Sequence, residues 1–82
     1  MKRGIPTMRK YTIILDPDPE EGGYTVTVPA LPGCITQGET IEQCIKRAQE
    51  AITGYIESLK AEGESVPEET ERLQMITIGV AA

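Results

Sequence analysis

Asp16, Asp18, Glu20 and Glu21 crowd four carboxylates into six residues, the densest set of hard-oxygen donors in the chain. A divalent cation such as Mg²⁺ needs such oxygens to converge. Pro17 and Pro19 alternate with the first acids and splay them, and neither the spacing of a calcium loop nor a phosphate-cradling glycine loop accompanies them. The segment therefore reads as an exposed acidic loop or as a docking surface for a basic protein, and no metal site is expected there. Cys34 and Cys44 carry the thiols. A thiolate nucleophile needs a base or a positive local field, and in a chain with no histidine only Lys46 and Arg47 stand near in sequence. Both cysteines are expected to pack. General acid–base work needs a second ionisable group beside the first, and no such pair is legible. The expectation is a protein with no catalytic residues and no cofactor.

Composition narrows the class. The chain has 82 residues, 39% of them hydrophobic and 26% charged, with a net charge of −5. That suits one small globular domain spanning residues 1–82, whose first seven residues form a flexible basic start. A chain this short buries only about 60% of its unfolded surface, so self-association into a dimer or tetramer is expected to supplement the core. Two cysteines and no histidine are too few for a disulfide framework or a structural zinc site. There is no apolar run long enough to span a membrane, and no apolar stretch after the basic start to make a secretory signal, which points to the cytoplasm. Four of the eight basic residues, Lys2, Arg3, Arg9 and Lys10, lie in the first ten positions; the rest of the chain sets four basic against 13 acidic side chains. Such a body repels nucleic acid and favours a basic partner.

The elements that must hold these residues follow from periodicity. Met8 to Leu15 alternates as a strand with Tyr11, Ile13 and Leu15 on one face, ended by Asp16-Pro17-Asp18-Pro19. Tyr24 to Val28 alternates apolar and polar residues and is expected to pair with it across Gly22-Gly23. Pro29 to Gly33 turns the chain into a short strand over Cys34–Gln37, closed by Gly38. Thr40 with Gln43 forms a capping box, and Ile41, Ile45, Ala48, Ile52, Tyr55, Ile56 and Leu59 repeat at helical spacing to about Lys60, with Gly63 as the stop. Glu42 with Lys46, and Gln43 with Arg47, read as solvated pairs, and Gly54 as a point of close packing or simple tolerance. Tyr11, Tyr24 and Tyr55 are expected to pack with the hydroxyl at the periphery. Pro67-Glu68-Glu69 suggests a helical turn, and Met75 to Val80 a fourth strand with Ile76, Ile78 and Val80 on one side. The fold class is α+β, ordered β-β-β-α-β, a small mostly antiparallel sheet with one helix packed on it.

The run from Gly22 to Cys44 contains Gly23-Tyr24, Val26, Pro29, Leu31-Pro32-Gly33-Cys34 and Gly38-Glu39-Thr40, and Gly63-Glu64-Ser65-Val66-Pro67 follows the helix. This combination of G-Y-x-V-x-x-P-x-L-P-G-C, a G-[DE]-T helix entry and a G-x-x-[IV]-P exit resembles the HicB family of antitoxins over about two thirds of the chain. The resemblance implies a partial ribonuclease-H-like fold without nuclease activity. It further implies that Gly23, Tyr24, Pro29, Leu31, Pro32, Gly33, Cys34, Gly38 and Thr40 are structural, and that the partner is a HicA-type toxin, a small basic mRNA-cleaving protein. Asp16, Asp18, Glu20 and Glu21 are the expected partner-binding residues. Many family members continue into a DNA-binding domain whereas the sequence given stops at Ala82, which leaves operator binding in doubt. The competing readings are an oligomeric interaction module for another partner, a degenerate metal-dependent nuclease, and a small-ligand module.

Overall fold

The computed structural model describes residues 9–69 and 74–82. The expected flexible start over residues 1–7 and the beginning of the first strand at Met8 lie outside the described residues. Among the described residues three strands and one helix form, β1 (Ile14–Pro17), β2 (Tyr24–Thr27), β3 (Ile35–Gly38) and α1 (Ile41–Ala61). The sheet is an antiparallel meander in the order β1-β2-β3, so the α+β class with a small antiparallel sheet holds. Leu15 stands opposite Val26, and Val26 opposite Thr36.

Strand bounds differ from the alternation pattern at β1. The strand runs through Asp16 and ends on Pro17, which pairs with Tyr24, while residues 9–13 are not strand. Pro17 is tolerated because it ends an edge strand, where a missing N–H costs no ladder bond on the outer side, and Pro19 already lies in the turn. Beyond Thr27 the β2 partner turns away, so the lead-in at residues 9–13 keeps strand-like sequence without a strand beside it.

Pro29 to Gly33 folds as two successive turns rather than one open loop. Leu31 N–H donates to the Val28 carbonyl at 3.0 Å, Cys34 N–H to the Leu31 carbonyl at 2.9 Å, and Val28 N–H to the Cys34 carbonyl at 3.1 Å. This geometry drops Leu31 into the interior, where it joins Val28 and Cys34, with Tyr11, Ile13, Ala51, Ile52 and Tyr55 packed around them. The Tyr55 hydroxyl then donates to the Pro32 carbonyl at 2.8 Å and ties helix to turn. A second cluster joins Val26, Cys44 and Ala48, flanked by Ile13, Leu15 and Tyr24. All three tyrosines thus pack as the sequence implied, and both cysteines are buried free thiols.

The helix is capped at both ends by its own sequence. Gln43 N–H donates to Thr40 Oγ1 at 3.0 Å, and the Gln43 side chain accepts from the Glu39 N–H, one residue before the usual box partner. At the other end Gly63 N–H reaches the Lys60 carbonyl and Glu64 N–H the Leu59 carbonyl, the paired bonds of a Schellman stop. The helix lies chiefly over β3 and then β2. That position buries the line Cys44 and Ala48 and leaves Ile41 and Ile45 exposed, although both belong to the stripe expected to face the sheet. Gly54 has open space around it, so close packing is not its reason.

Two expected elements do not form. Residues 64–69 contain no helical turn, and residues 74–82 contain no strand and are exposed throughout. Met75 to Val80 keeps the alternation of a strand, but a strand exists only by hydrogen bonding to another, and among the described residues no sheet edge pairs with it. The element order among the described residues is therefore β-β-β-α. No helix among the described residues is long and apolar enough to cross a membrane.

Candidate functional site

The acidic loop is built by backbone bonds closing the β1–β2 hairpin. Asp18 N–H donates to the Gly23 carbonyl at 3.0 Å and Gly22 N–H to the Asp18 carbonyl at 2.9 Å. The Asp18 side chain folds inward over the loop and its Oδ1 accepts from the N–H groups of Glu20 at 2.9 Å and Glu21 at 3.1 Å. An aspartate that caps its own turn in this way is committed to shaping the loop. All four acids, Asp18 included, are exposed. Asp18 thus differs from the other three in shaping the turn, not in exposure, and among the described residues no three His, Cys, Asp or Glu side chains gather as metal ligands would.

The loop is seated on the start of the helix. Gly22 and Gly23 both adopt positive φ, at 80° and 75°. A methyl on Gly23 would meet the Gly38 carbonyl oxygen at 2.8 Å, so the hairpin end lies flat against the β3–α1 junction. Gly38 in turn lies against the helix, where a methyl would meet the Cys44 backbone nitrogen and Sγ, each at 2.9 Å. These contacts place a polar cleft of about 210 Å³ between Asp18, Glu21, Glu39, Gln43 and Arg47. Gln43 and Arg47 thus line the cleft instead of forming a merely solvated pair. Sequence reasoning missed Glu39, Gln43 and Arg47 as neighbours of the acidic loop, because their approach depends on the hairpin folding across to the helix. The available signal was Gly23 and Gly38 at the two sides of that crossing. Asp16 and Glu20 do not line the cleft.

The thiols are not poised for chemistry. Burial pushes the Cys34 thiol above its ordinary value, and Cys44 lies with no exposed surface under the β3–α1 junction. On the far side of the molecule, the residues after the helix return to the β1 lead-in. The Tyr11 hydroxyl donates to the Pro67 carbonyl, and Glu69 accepts from Thr12 N–H at 2.9 Å and from its hydroxyl at 2.6 Å. Those two bonds, the hydroxyl's first, hold the Glu69 carboxyl below the ordinary glutamate range. Beside this junction a wider apolar groove of about 750 Å³ opens between the β1 lead-in and the helix face bearing Ile45, Ile52 and Ile56.

A three-strand meander with one helix, an acidic hairpin end, buried thiols and a groove between the β1 lead-in and the helix defines a small α+β module. Residues 11–78 match the model of the family described as HicB_like antitoxin of bacterial toxin-antitoxin system, and the chain belongs to that family. A UPF0150 protein of Thermoplasma acidophilum is 53% identical over 58 residues, covering 71% of this chain and 83% of that protein. Antitoxin HicB 1 of Photorhabdus laumondii is 38% identical over 63 residues, covering 77% of this chain and 39% of that protein. Antitoxin HicB of Escherichia coli is 33% identical over 58 residues, covering 71% of this chain and 41% of that protein.

Proposed function

We propose that this protein is an antitoxin that binds a small basic HicA-type toxin and covers its RNA-binding face without catalysis of its own. Membership of the HicB-like antitoxin family carries the reading. The charge distribution supports it, since all 13 acidic side chains lie outside the first ten residues, and Glu20 and Glu21 stand exposed on a hairpin turn that Asp18 holds, next to exposed Asp16 on β1. Complementary potentials raise the rate of encounter and reject wrong partners, and a partner that occupies the toxin's basic face excludes RNA sterically. Buried thiols, with that of Cys34 pushed upward, suit a protein that does no covalent work. The proposal includes action in the cytoplasm, where mRNA is cleaved, and as a homo-oligomer.

The test is binding to the small basic protein encoded beside this one, with RNA cleavage assayed in parallel. Replacing Asp16, Glu20 and Glu21 together by lysine is expected to weaken binding at least tenfold at low salt, to flatten its salt dependence, and to restore cleavage. Asp18 is left in place because it holds the turn. Unchanged affinity and salt slope would remove the acidic loop from the interface, and a wild-type chain that neither binds nor inhibits would remove the antitoxin reading.

A further inference from the structure

The protomer exposes two apolar features that match each other. Met75 to Val80 alternates as a strand, yet Ile76, Ile78 and Val80 are 76%, 76% and 79% exposed, values unusual for β-branched apolar residues on one face of a segment. Residues 74–82 carry no charged side chain. Along the opposite feature, the groove beside the β1 lead-in, Ile13, Ile45, Ile52 and Ile56 form an apolar floor, with Arg9 and Lys60 among its lining residues. Among the described residues, no strand pairs with the outer edge of β1 or with its lead-in over residues 9–13. An open strand edge above an apolar floor is the geometry that accepts an added strand, whose backbone supplies the bonds and whose alternate side chains fill the floor.

Length agrees as well as chemistry. The groove follows the helix from Ile45 to Lys60, about 22 Å at 1.5 Å per residue. Six residues of strand, Met75 to Val80, extend about 20 Å. Glu69, six residues before Met75, is fastened beside the groove, since Pro67 and Glu69 bond to Tyr11 and Thr12 and Tyr11 lines it. In the protomer the segment nevertheless stands clear of that groove, with every residue from 74 to 82 exposed.

We propose that Met75–Val80 of one copy docks in the β1 groove of a second copy, adding a strand beside β1 and laying Ile76, Ile78 and Val80 on Ile13, Ile45, Ile52 and Ile56. The exchange is reciprocal, each copy giving one strand and receiving one, so it closes as a two-fold dimer and leaves no groove open for further growth. It rests on the homo-oligomer part of the reading above and specifies its interface; it leaves the acidic hairpin end, at the β1–β2 turn, available to a toxin.

The experiment uses the full chain at micromolar concentration. Sedimentation is expected to show a dimer, and Ile78→Asp or Ile45→Glu to raise its dissociation constant at least tenfold while the far-ultraviolet circular dichroism of the helix stays unchanged. A sample mixed from isotope-labelled and unlabelled chains distinguishes copies: contacts between the Ile78 and Ile52 methyls are expected across the label boundary. A monomeric wild type would overturn both the exchange and the homo-oligomer. A dimer indifferent to both substitutions, or Ile78–Ile52 contacts confined to one chain, would overturn the exchange alone. Inhibition of the toxin is measured separately, so its failure cannot be mistaken for either.

Discussion

Gly22 and Gly23 are adjacent, share a left-handed conformation and differ only in what surrounds them, so alanine at each isolates the contact that seats the acidic hairpin. An L side chain in this region costs about 1–2 kcal/mol. The loss of unfolded-chain freedom on replacing glycine returns about 0.4–1 kcal/mol. Gly22, at φ 80° with nothing within 4 Å of an added methyl, is subject to those two effects alone. Gly22→Ala is therefore expected to destabilise by about 0.5–1 kcal/mol. At Gly23 the methyl would also stand 2.8 Å from the Gly38 carbonyl oxygen and 3.4 Å from the Glu39 Cα, both backbone atoms that no rotamer change can move. Overpacking of this kind adds about 1–3 kcal/mol. Gly23→Ala is expected to exceed Gly22→Ala by that amount, which at a urea slope of about 1 kcal/mol/M lowers the midpoint by a further ~1–3 M. Urea unfolding followed by the helix signal, at one protein concentration for all variants, reads the difference. Equal midpoints for the two variants would refute the seating of the hairpin on the β3–α1 junction.

Thr40→Ala removes the acceptor of the Gln43 N–H and is expected to cost about 0.5–2 kcal/mol in the same unfolding assay, with Thr40→Ser restoring the loss. A neutral Thr40→Ala would show that the cap is not used. The Glu69 carboxyl has a folded pKa below its unfolded value of about 4.3, so its bonds to Thr12 stabilise the fold above that pH and are lost as pH falls through the lower folded value. Titration followed at the Glu69 side-chain carbon by NMR is expected to show a midpoint below the ordinary glutamate range that rises in Thr12→Val. A midpoint at the ordinary value in the wild type would mean that the return of Glu69 to Thr12 does not persist in solution.

The helix was the most legible element because its signals are local. Thr40 and Gln43 lie three residues apart, Gly63 follows the last turn, and each cap forms among those same residues. The two hairpins were legible for a similar reason, since alternation from Tyr24 and the turn residues before and after it act within a few positions. The acidic loop was found as a cluster, but its division of labour was not. Whether an aspartate caps its own turn depends on backbone geometry that Asp16 and Asp18, both beside prolines, do not distinguish by type.

Alternation at Met75 to Val80 likewise reports a tendency to be a strand and says nothing of which edge it pairs with. Pairing is a long-range property, and in this chain the segment is in no strand and exposed. The amino-acid order by itself determined the class of fold, the helix with its caps, the position of the acidic hairpin and the family. Only the tertiary structure decided that the helix lies over β3 and β2, and with it which isoleucines are buried, where Gln43 and Arg47 meet the acidic loop, and that a groove stays open beside β1. Those outcomes depend on where whole elements come to rest against one another, and that is set by contacts such as Tyr55 on Pro32 and Tyr11 on Pro67, between residues whose closeness no local spacing records.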